Sequence, residues 1–156
     1  MSDQVQIQAK DVMERNVVVL PPDATLFDAW TVFSERRISG APVVCKRDGL
    51  IGVISQTDLL REVFSPELGT FGNESYYIGG PFWESTGVAG IPQRLTQVFV
   101  REAMSPYVIS VSPSDEISHL ASIMRSRRIH RLIVTEESGV VGIVTSLDLL
   151  GVLDRH

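Results

Sequence analysis

The sequence is poor in cysteine and has no long apolar run. Cys45 is the only cysteine among 156 residues, so no disulfide can form within the chain and a reducing compartment is the default environment. No apolar run approaches the roughly 18 residues that a membrane-spanning helix needs. The first residues also lack the basic start and apolar core of a signal peptide. These absences predict a cytoplasmic protein without a membrane partner.

Signatures of catalysis and of nucleic-acid binding are missing as well. The chain has no Gly-x-x-x-x-Gly-Lys-[Ser/Thr], Gly-x-Gly-x-x-Gly, His-Glu-x-x-His or Cys-x-x-Cys motif, and no Gly-x-Ser-x-Gly elbow around a nucleophile. Its net charge of −5 is unfavourable for a nucleic-acid surface. We therefore predict that the protein is not an enzyme, with no catalytic residue, no metal site, no catalytic cofactor and no nucleic-acid partner.

What the sequence does contain is a long internal repeat. Ser55-Gln-Thr-Asp58-Leu-Leu60 returns as Thr145-Ser-Leu-Asp148-Leu-Leu150, and each stretch follows an apolar run that opens on glycine. A shift of 91 residues also aligns Met13 with Met104. From Gly49, which aligns with Gly139, the two copies match at a shift of 90 residues. Matches over some 50 residues with a single one-residue gap indicate a duplicated unit.

Each copy has a pattern typical of the order β-α-β-β-α. A β-branched run at 16–20 or 107–111 is followed by a helix with apolar spacing i, i+3, i+4, i+7, for which Asp23 and Ser114 are the predicted N-caps. Two strands then flank a turn at Asp48-Gly49 or Ser138-Gly139, and a last helix begins near residue 57 or 147. Since neither copy can bury its own sheet well, we expect an α/β fold in which the two pack as one pseudo-two-fold unit.

These residues resemble a known family. The stretch Glu35-Arg-Arg-Ile-Ser-Gly-Ala-Pro-Val-Val44, its counterpart Ile129-His-Arg-Leu-Ile-Val134 and the two Gly-φ-φ-[Ser/Thr]-x-x-Asp ends are similar to cystathionine-β-synthase (CBS) domains. Two such domains in tandem resemble a stand-alone Bateman module. The predicted organisation is a first CBS repeat at 9–65, a connecting insert at 66–99 and a second CBS repeat at 100–156.

The resemblance implies a regulatory function. Members of this family bind adenosyl ligands (AMP, ADP, ATP or S-adenosylmethionine) in clefts between the repeats, and their modules pair. The hypothesis is therefore a homodimeric sensor whose ligand is regulatory and whose state is read by a separate target protein. The alternative is a structural dimerisation or adaptor module whose clefts stay empty.

The two Ser/Thr-x-x-Asp motifs carry the predicted ligand chemistry. Ser55 with Asp58, and Thr145 with Asp148, also match a helix capping box, in which the hydroxyl and the carboxylate each satisfy a backbone N–H. The same carboxylate can accept two hydrogen bonds from a ribose cis-diol, beside amides that favour phosphate. The hydroxyl can serve helix capping and ligand binding at once, whereas capping and ribose binding compete for the carboxylate. Because Ser55 replaces the threonine commoner in the family, the first site is expected to be the weaker one.

Further site residues follow from the resemblance, which places the base pocket on the first strand and at the entry to the second strand. A basic residue there would contact phosphate, and this role falls to Arg131, with His130 assisting. For Ser39 and Gly40, an ordinary helix-ending turn is the alternative. The additional ligand-binding residues implied in this way are Val18, Ser39, Gly40, Ile109, His130 and Arg131.

The insert at 66–99 matches neither copy. It holds six of the eleven aromatic residues of the chain, which are Phe71, Tyr76, Tyr77, Phe82, Trp83 and, at its last position, Phe99. Disordered linkers are poor in aromatic residues, so we expect the insert to pack against something. It could cover a ligand cleft, brace a dimer, offer a partner surface or simply pack on its own module.

Overall fold

The computed structural model describes residues 6–64, 75–78, 93–137 and 139–155, and these form a mixed α/β chain. The chain divides into two compact units. The first-copy unit is Val18–Val108, and the second-copy unit joins the residues up to Val17 with those from Ile109 onwards. None of the helices in the described ranges combines the length and apolar character needed to cross a bilayer.

Seven α-helices, two 3-10 helices and five strands are seen in the described residues. In chain order they are α1 (Ala9–Val12), α2 (Leu26–Arg36), β1 (Gly40–Cys45), β2 (Gly49–Ser55), α3 (Gln56–Phe64), α4 (Ser75–Ile78), a 3-10 helix (Gln93–Thr96), α5 (Val100–Ala103), β3 (Ser110–Val111), α6 (Ile117–Arg127), β4 (Arg131–Glu136), β5 (Gly139–Thr145), α7 (Ser146–Gly151) and a second 3-10 helix (Leu153–Arg155). The helices and hairpins of both copies follow the predicted order.

The long helices begin two residues later than predicted. Thr25, not Asp23, is the N-cap of α2, and its hydroxyl accepts a hydrogen bond from the backbone N–H of Asp28 at 3.1 Å. Glu116, not Ser114, stands at the N-cap of α6. The predicted caps were wrong because the residues after each proline are used in a preceding turn, closed by N–H to C=O bonds from Ala24 to Pro21 and from Asp115 to Ser112.

The same two helices end on arginine rather than glycine. Arg37 and Arg128 adopt left-handed backbone with φ of 54° and 55°, and the next amides, those of Ile38 and Ile129, reach back to helix carbonyls at 3.0 Å. This is the geometry of a left-handed helix end. Gly40 is therefore not the helix terminator that the alternative interpretation of Ser39-Gly40 supposed, and it opens β1 instead.

Each unit contains one antiparallel hairpin. β1 pairs with β2 from Gly40↔Ser55 onwards, and β4 pairs with β5 from Arg131↔Thr145 onwards. The predicted first strands are shorter than expected: β3 is only two residues long and parallel to β4, and the run 16–20 makes one bridge, Leu20↔Val43. Ser138 of the second predicted turn lies outside the described residues.

Each unit also contains one close methionine–glycine contact. A Cβ added to Gly142 would lie 2.5 Å from the sulfur of Met13, and one added to Gly52 would lie 2.9 Å from the sulfur of Met104. Met13 follows α1, which belongs to the predicted first repeat but lies in the second-copy unit. Met104 follows α5, which belongs to the predicted second repeat but lies in the first-copy unit. The compact units therefore differ from the predicted repeats in these two short segments, and the predicted repeat boundaries stay predictions.

Candidate functional site

The first-copy unit brings most of its predicted site residues together. Gly40 is paired with Ser55 at the start of the hairpin, and the carbonyl of Ser39 accepts a hydrogen bond from the N–H of Gln56 at 2.9 Å. The Ser55–Asp58 motif follows at the junction of β2 and α3. Val18 lies two residues before the Leu20↔Val43 bridge, and its side chain is half-buried.

The second-copy unit repeats this arrangement with different side chains. Arg131 is paired with Thr145, and the carbonyl of His130 accepts a hydrogen bond from the N–H of Ser146 at 2.9 Å. Ile109 directly precedes β3 and is 8% exposed. The strand–helix junction therefore lies beside the entry to the second strand, through the pairing of Arg131 with Thr145 and the hydrogen bond of Ser146 to His130.

Both motifs form the capping box. Oδ2 of Asp58 accepts the N–H of Ser55 at 2.8 Å and its hydroxyl at 3.0 Å. Oδ2 of Asp148 accepts the N–H of Thr145 at 2.8 Å and its hydroxyl at 3.0 Å. The backbone N–H of each aspartate donates in return to the same hydroxyl, at 3.4 and 3.3 Å. The cap thus occupies one carboxylate oxygen, and the second oxygen, Oδ1, decides what else each aspartate can bind.

In the first copy that second oxygen is covered. Asp58 is only 6% exposed, and a guanidinium N–H of Arg61 donates to its Oδ1 at 3.4 Å. Burial raises the pKa of the Asp58 carboxyl above the usual 3.8, because desolvation outweighs the lowering effects of the Ser55 hydrogen bonds and the Arg61 charge. This carboxylate is therefore engaged within its own unit.

Gly40 in the first copy is covered as well. A Cβ at this position would lie 2.7 Å from the ring of Tyr76 and 2.7 Å from the carbonyl oxygen of Ile54. Tyr76 lies on α4 of the insert and is 1% exposed, and its ring packs edge-on against Tyr77 at 5.0 Å. Of the six aromatic residues of the insert, these two are fully buried and Phe99 is 36% exposed. Phe71, Phe82 and Trp83 lie outside the described residues.

In the second copy the aspartate lies at a cavity. Asp148 is half-buried, and in the described part of the chain its Oδ1 makes no hydrogen bond. Asp148 lines a cavity of about 380 Å³ within the second-copy unit. The other lining residues are Asp11, Val12 and Met13 around the end of α1, and Leu147, Gly151 and Val152 on α7 and at its end.

The cavity differs from the predicted site in its lining. Asp148 is the one predicted residue on its walls, whereas Thr145, His130, Arg131 and Ile109 do not line it. The segment 11–13 was missed, because more than 130 residues separate it from Asp148 and no local pattern links the two. The match of Met13 with Met104 was the available signal, since both precede the predicted first strand.

The comparisons with known proteins agree on the family. The family model of the CBS domain matches residues 9–65 and 100–155. An uncharacterized protein of Methanocaldococcus jannaschii, MJ1426, is 30% identical over 157 residues, which covers 92% of this chain and 89% of that protein. The chain spans less than half, 40% and 42%, of two longer relatives from the same organism.

Solved structures show the same fold. The CBS domain pair of protein MJ0100, in complex with 5′-methylthioadenosine and S-adenosyl-L-methionine, has a TM-score of 0.66 at 18% identity, covering 96% of this chain and 98% of that one. CBSX2 in complex with AMP has a TM-score of 0.67 at 23% identity, covering 95% and 96%. At these identities the likeness concerns the fold alone.

Proposed function

Because the chain belongs to the CBS-domain family and carries two CBS repeats, we propose that it is a regulatory module that binds an adenosyl ligand and is not an enzyme. The binding group is the carboxylate of Asp148, supported by Thr145. Ile109, His130 and Arg131 of the same copy do not line the cavity beside Asp148. They are proposed contacts of the base and the phosphates on the ground of the family resemblance alone.

The observation that carries this proposal is the orientation of Asp148. The cap uses Oδ2, whereas Oδ1 has no hydrogen-bond donor among the described residues, and Asp148 lines the cavity. A carboxylate accepts the two hydrogen bonds of a ribose cis-diol with little rotamer entropy to lose, since the cap already fixes its side chain. The cavity volume of about 380 Å³ lies within the range of small-molecule pockets, roughly 300–1,000 Å³.

The structural neighbours supply the candidate ligands. One holds 5′-methylthioadenosine and S-adenosyl-L-methionine, and another holds AMP. All three contain the adenosine ribose, which is the group that Asp148 is suited to accept. AMP, ADP, ATP and S-adenosylmethionine are therefore the ligands to test.

The finer parts of the proposal concern what the ligand does. Binding would shift the population of conformations of a cytoplasmic homodimer, and a target protein would recognise one of them by differential affinity. Oligomerisation has support from a related assembly, a hexameric CBS-CP12 protein with a TM-score of 0.63 to this chain. The single cysteine is compatible with a reducing compartment.

Calorimetric titration of the full chain with the four ligands tests the proposal, and Asp148→Ala is the informative variant. Loss of a charged acceptor costs about 1.5–3 kcal/mol per hydrogen bond, so we expect affinity to fall by at least about tenfold. Asp28→Ala is the matched control, because Asp28 belongs to the same kind of capping box at Thr25 but is exposed and outside the cavity lining. The affinity of Asp28→Ala for each ligand should equal that of the unmodified protein.

The competing function is a structural adaptor without a physiological nucleotide. It is favoured by the fact that both aspartates serve as helix caps. Under this hypothesis none of the four ligands binds, none raises the melting temperature, and Asp148→Ala changes stability alone. That set of results would overturn the sensor proposal, since ligand binding to the native state must raise stability by mass action.

A further inference from the structure

The two copies differ at one position that faces the ligand-binding carboxylate. Three residues after the aspartate, the first copy has Arg61 and the second copy has Gly151. This pair continues the register that aligns Leu60 with Leu150. Residues three apart on a helix lie on the same face, so position 61 or 151 lies over the aspartate.

Arg61 closes the first copy. Its guanidinium lies 3.4 Å from Oδ1 of Asp58, and the side chains of the pair are 32% and 8% exposed. The ring of Tyr76 covers Gly40 on the strand paired with Ser55. Two side chains from different elements of the first-copy unit thus cover the carboxylate of Asp58 and the start of β1 at Gly40.

Gly151 leaves the second copy open. Beyond its chain neighbours and the backbone of its own helix, no atom of the described residues lies within 4 Å of a Cβ built at Gly151, and Gly151 lines the cavity with Asp148. An arginine here could reach Asp148 as Arg61 reaches Asp58. At the aspartates themselves, the cation beside Asp58 and the open space beside Asp148 therefore correspond to one aligned pair of residues, Arg61 and Gly151.

We infer that the chain takes one adenosyl ligand, at the second copy, and that Arg61 and Gly151 are the residues that determine this choice. The inference rests on the proposed function for its ligand, but the closed and open states of the two carboxylates are properties of the free protein. They are measurable without any ligand. The two parts of the inference therefore have separate tests.

The first test labels carboxylates of the free protein with a water-soluble carbodiimide and glycinamide, followed by peptide mass spectrometry. We expect Asp148 to be labelled severalfold faster than Asp58. Arg61→Ala should raise the labelling of Asp58 severalfold. Arg94→Ala is the control and should not raise it, although Arg94 forms an ion pair at 3.2 Å with Glu62, which lies on the same helix as Asp58. Equal labelling of Asp58 and Asp148 in the unmodified protein, or no response to Arg61→Ala, would overturn the inference.

The second test measures binding of AMP and S-adenosylmethionine by calorimetry. We expect one equivalent per chain, and a loss of affinity of at least about tenfold in Gly151→Arg. Leu150→Arg is the matched control, because it adds the same charge at an exposed neighbour that does not line the cavity. Two equivalents per chain, or unchanged affinity in Gly151→Arg, would contradict the inference.

The two tests separate the failures of the two proposals. If neither probe binds the unmodified protein while the labelling contrast and its response to Arg61→Ala are observed, the proposed function fails and the closed first copy stands. If a probe binds at two sites, the proposed function stands and the inference of a single site fails.

Discussion

Arg61 donates a hydrogen bond to Oδ1 of Asp58 at 3.4 Å, whereas the corresponding oxygen of Asp148 in the second copy accepts none from the described residues. The capping boxes of the two copies are otherwise alike to within about 0.1 Å in each hydrogen-bond length. The duplicated motif therefore keeps its structural function in both copies. What differs is the use of the second carboxylate oxygen.

The buried Asp58 predicts an unusual pH dependence of stability. Its pKa in the folded protein is raised above 3.8, so the folded state holds this proton at pH values where the unfolded chain has lost it. The contribution of this group to the free energy of unfolding is then largest below pH 3.8 and is lost as pH rises through the folded pKa. An asparagine side chain cannot titrate, so the stability of the Asp58→Asn variant relative to the unmodified protein should increase with pH across that window.

Urea denaturation at a series of pH values from about 3 to 7 checks this prediction. Arg61→Ala extends it, because removal of the cation that lowers the pKa of Asp58 should move the window to higher pH. A difference between Asp58→Asn and the unmodified protein that stays constant with pH, or that falls as pH rises, would refute the assignment of a raised pKa.

The two methionine–glycine contacts predict unequal effects of alanine. In Gly52→Ala the new methyl group would lie 2.6 Å from the backbone oxygen of Ser105, which cannot move without shifting the chain. In Gly142→Ala the three nearest atoms all belong to the side chain of Met13, and the two closest, Sδ and Cγ, can move by a change of rotamer. We expect a loss of about 1–3 kcal/mol in the free energy of unfolding for Gly52→Ala and a smaller loss for Gly142→Ala. Equal losses would show that Met13 is held as rigidly as the backbone.

The cap threonines predict a separation of stability from binding. Thr145→Ala and Thr25→Ala each remove a hydroxyl that accepts from the third residue of a helix, so each should cost about 0.5–2 kcal/mol of stability. Only Thr145 also donates to the carboxylate that faces the cavity. Thr145→Ala should therefore weaken adenosyl-ligand binding as well, whereas Thr25→Ala should leave it unchanged.

Thr145→Ser is the control for this pair, since it keeps the hydroxyl and reproduces the residue found at the first copy. Denaturation and calorimetry on the same samples give both quantities. If Thr145→Ala and Thr25→Ala affected binding equally, the weaker binding would reflect lost stability and not the position of Asp148.

The features that the sequence predicts well are local ones. The helices α2 and α6 follow from apolar residues spaced along one face, and their buried positions include Leu26, Phe33 and Leu120. The capping boxes follow from partners three residues apart. The contact of Arg61 with Asp58 has the same spacing and could have been predicted from it.

The features that the sequence does not predict depend on distant partners. The β-branched run 16–20 favours a strand, but a strand needs a ladder, and only Leu20 finds a bridge to Val43. The N-caps were misplaced because Ser112 and Asp115 satisfy each other in the turn before α6, at 2.8 Å. The cavity beside Asp148 depends on Met13 and its neighbours, which only the folded chain brings there.

The charge of the cavity lining predicts an order of ligand affinities. Asp11 and Asp148 are both acidic and no basic residue is among the lining residues, so the cavity disfavours a negatively charged ligand tail. With the phosphates inside this cavity, affinity should decrease from S-adenosylmethionine through AMP and ADP to ATP at low salt, whereas phosphates at Arg131 would not give this order. Asp11→Asn removes one of these charges while keeping an oxygen that can accept the N–H of Gln8, which Asp11 bonds at 2.9 Å.

Asp11→Asn should therefore raise the affinity for ATP relative to S-adenosylmethionine, by up to about tenfold because Asp11 is exposed and screened. Added salt should reduce the effect of the substitution. The same calorimetric titrations, repeated at low and high ionic strength, measure both changes. If ATP bound more tightly than S-adenosylmethionine in the unmodified protein, the phosphates would have to lie away from these carboxylates, towards Arg131. In that case Arg131→Ala, not Asp11→Asn, would alter the order.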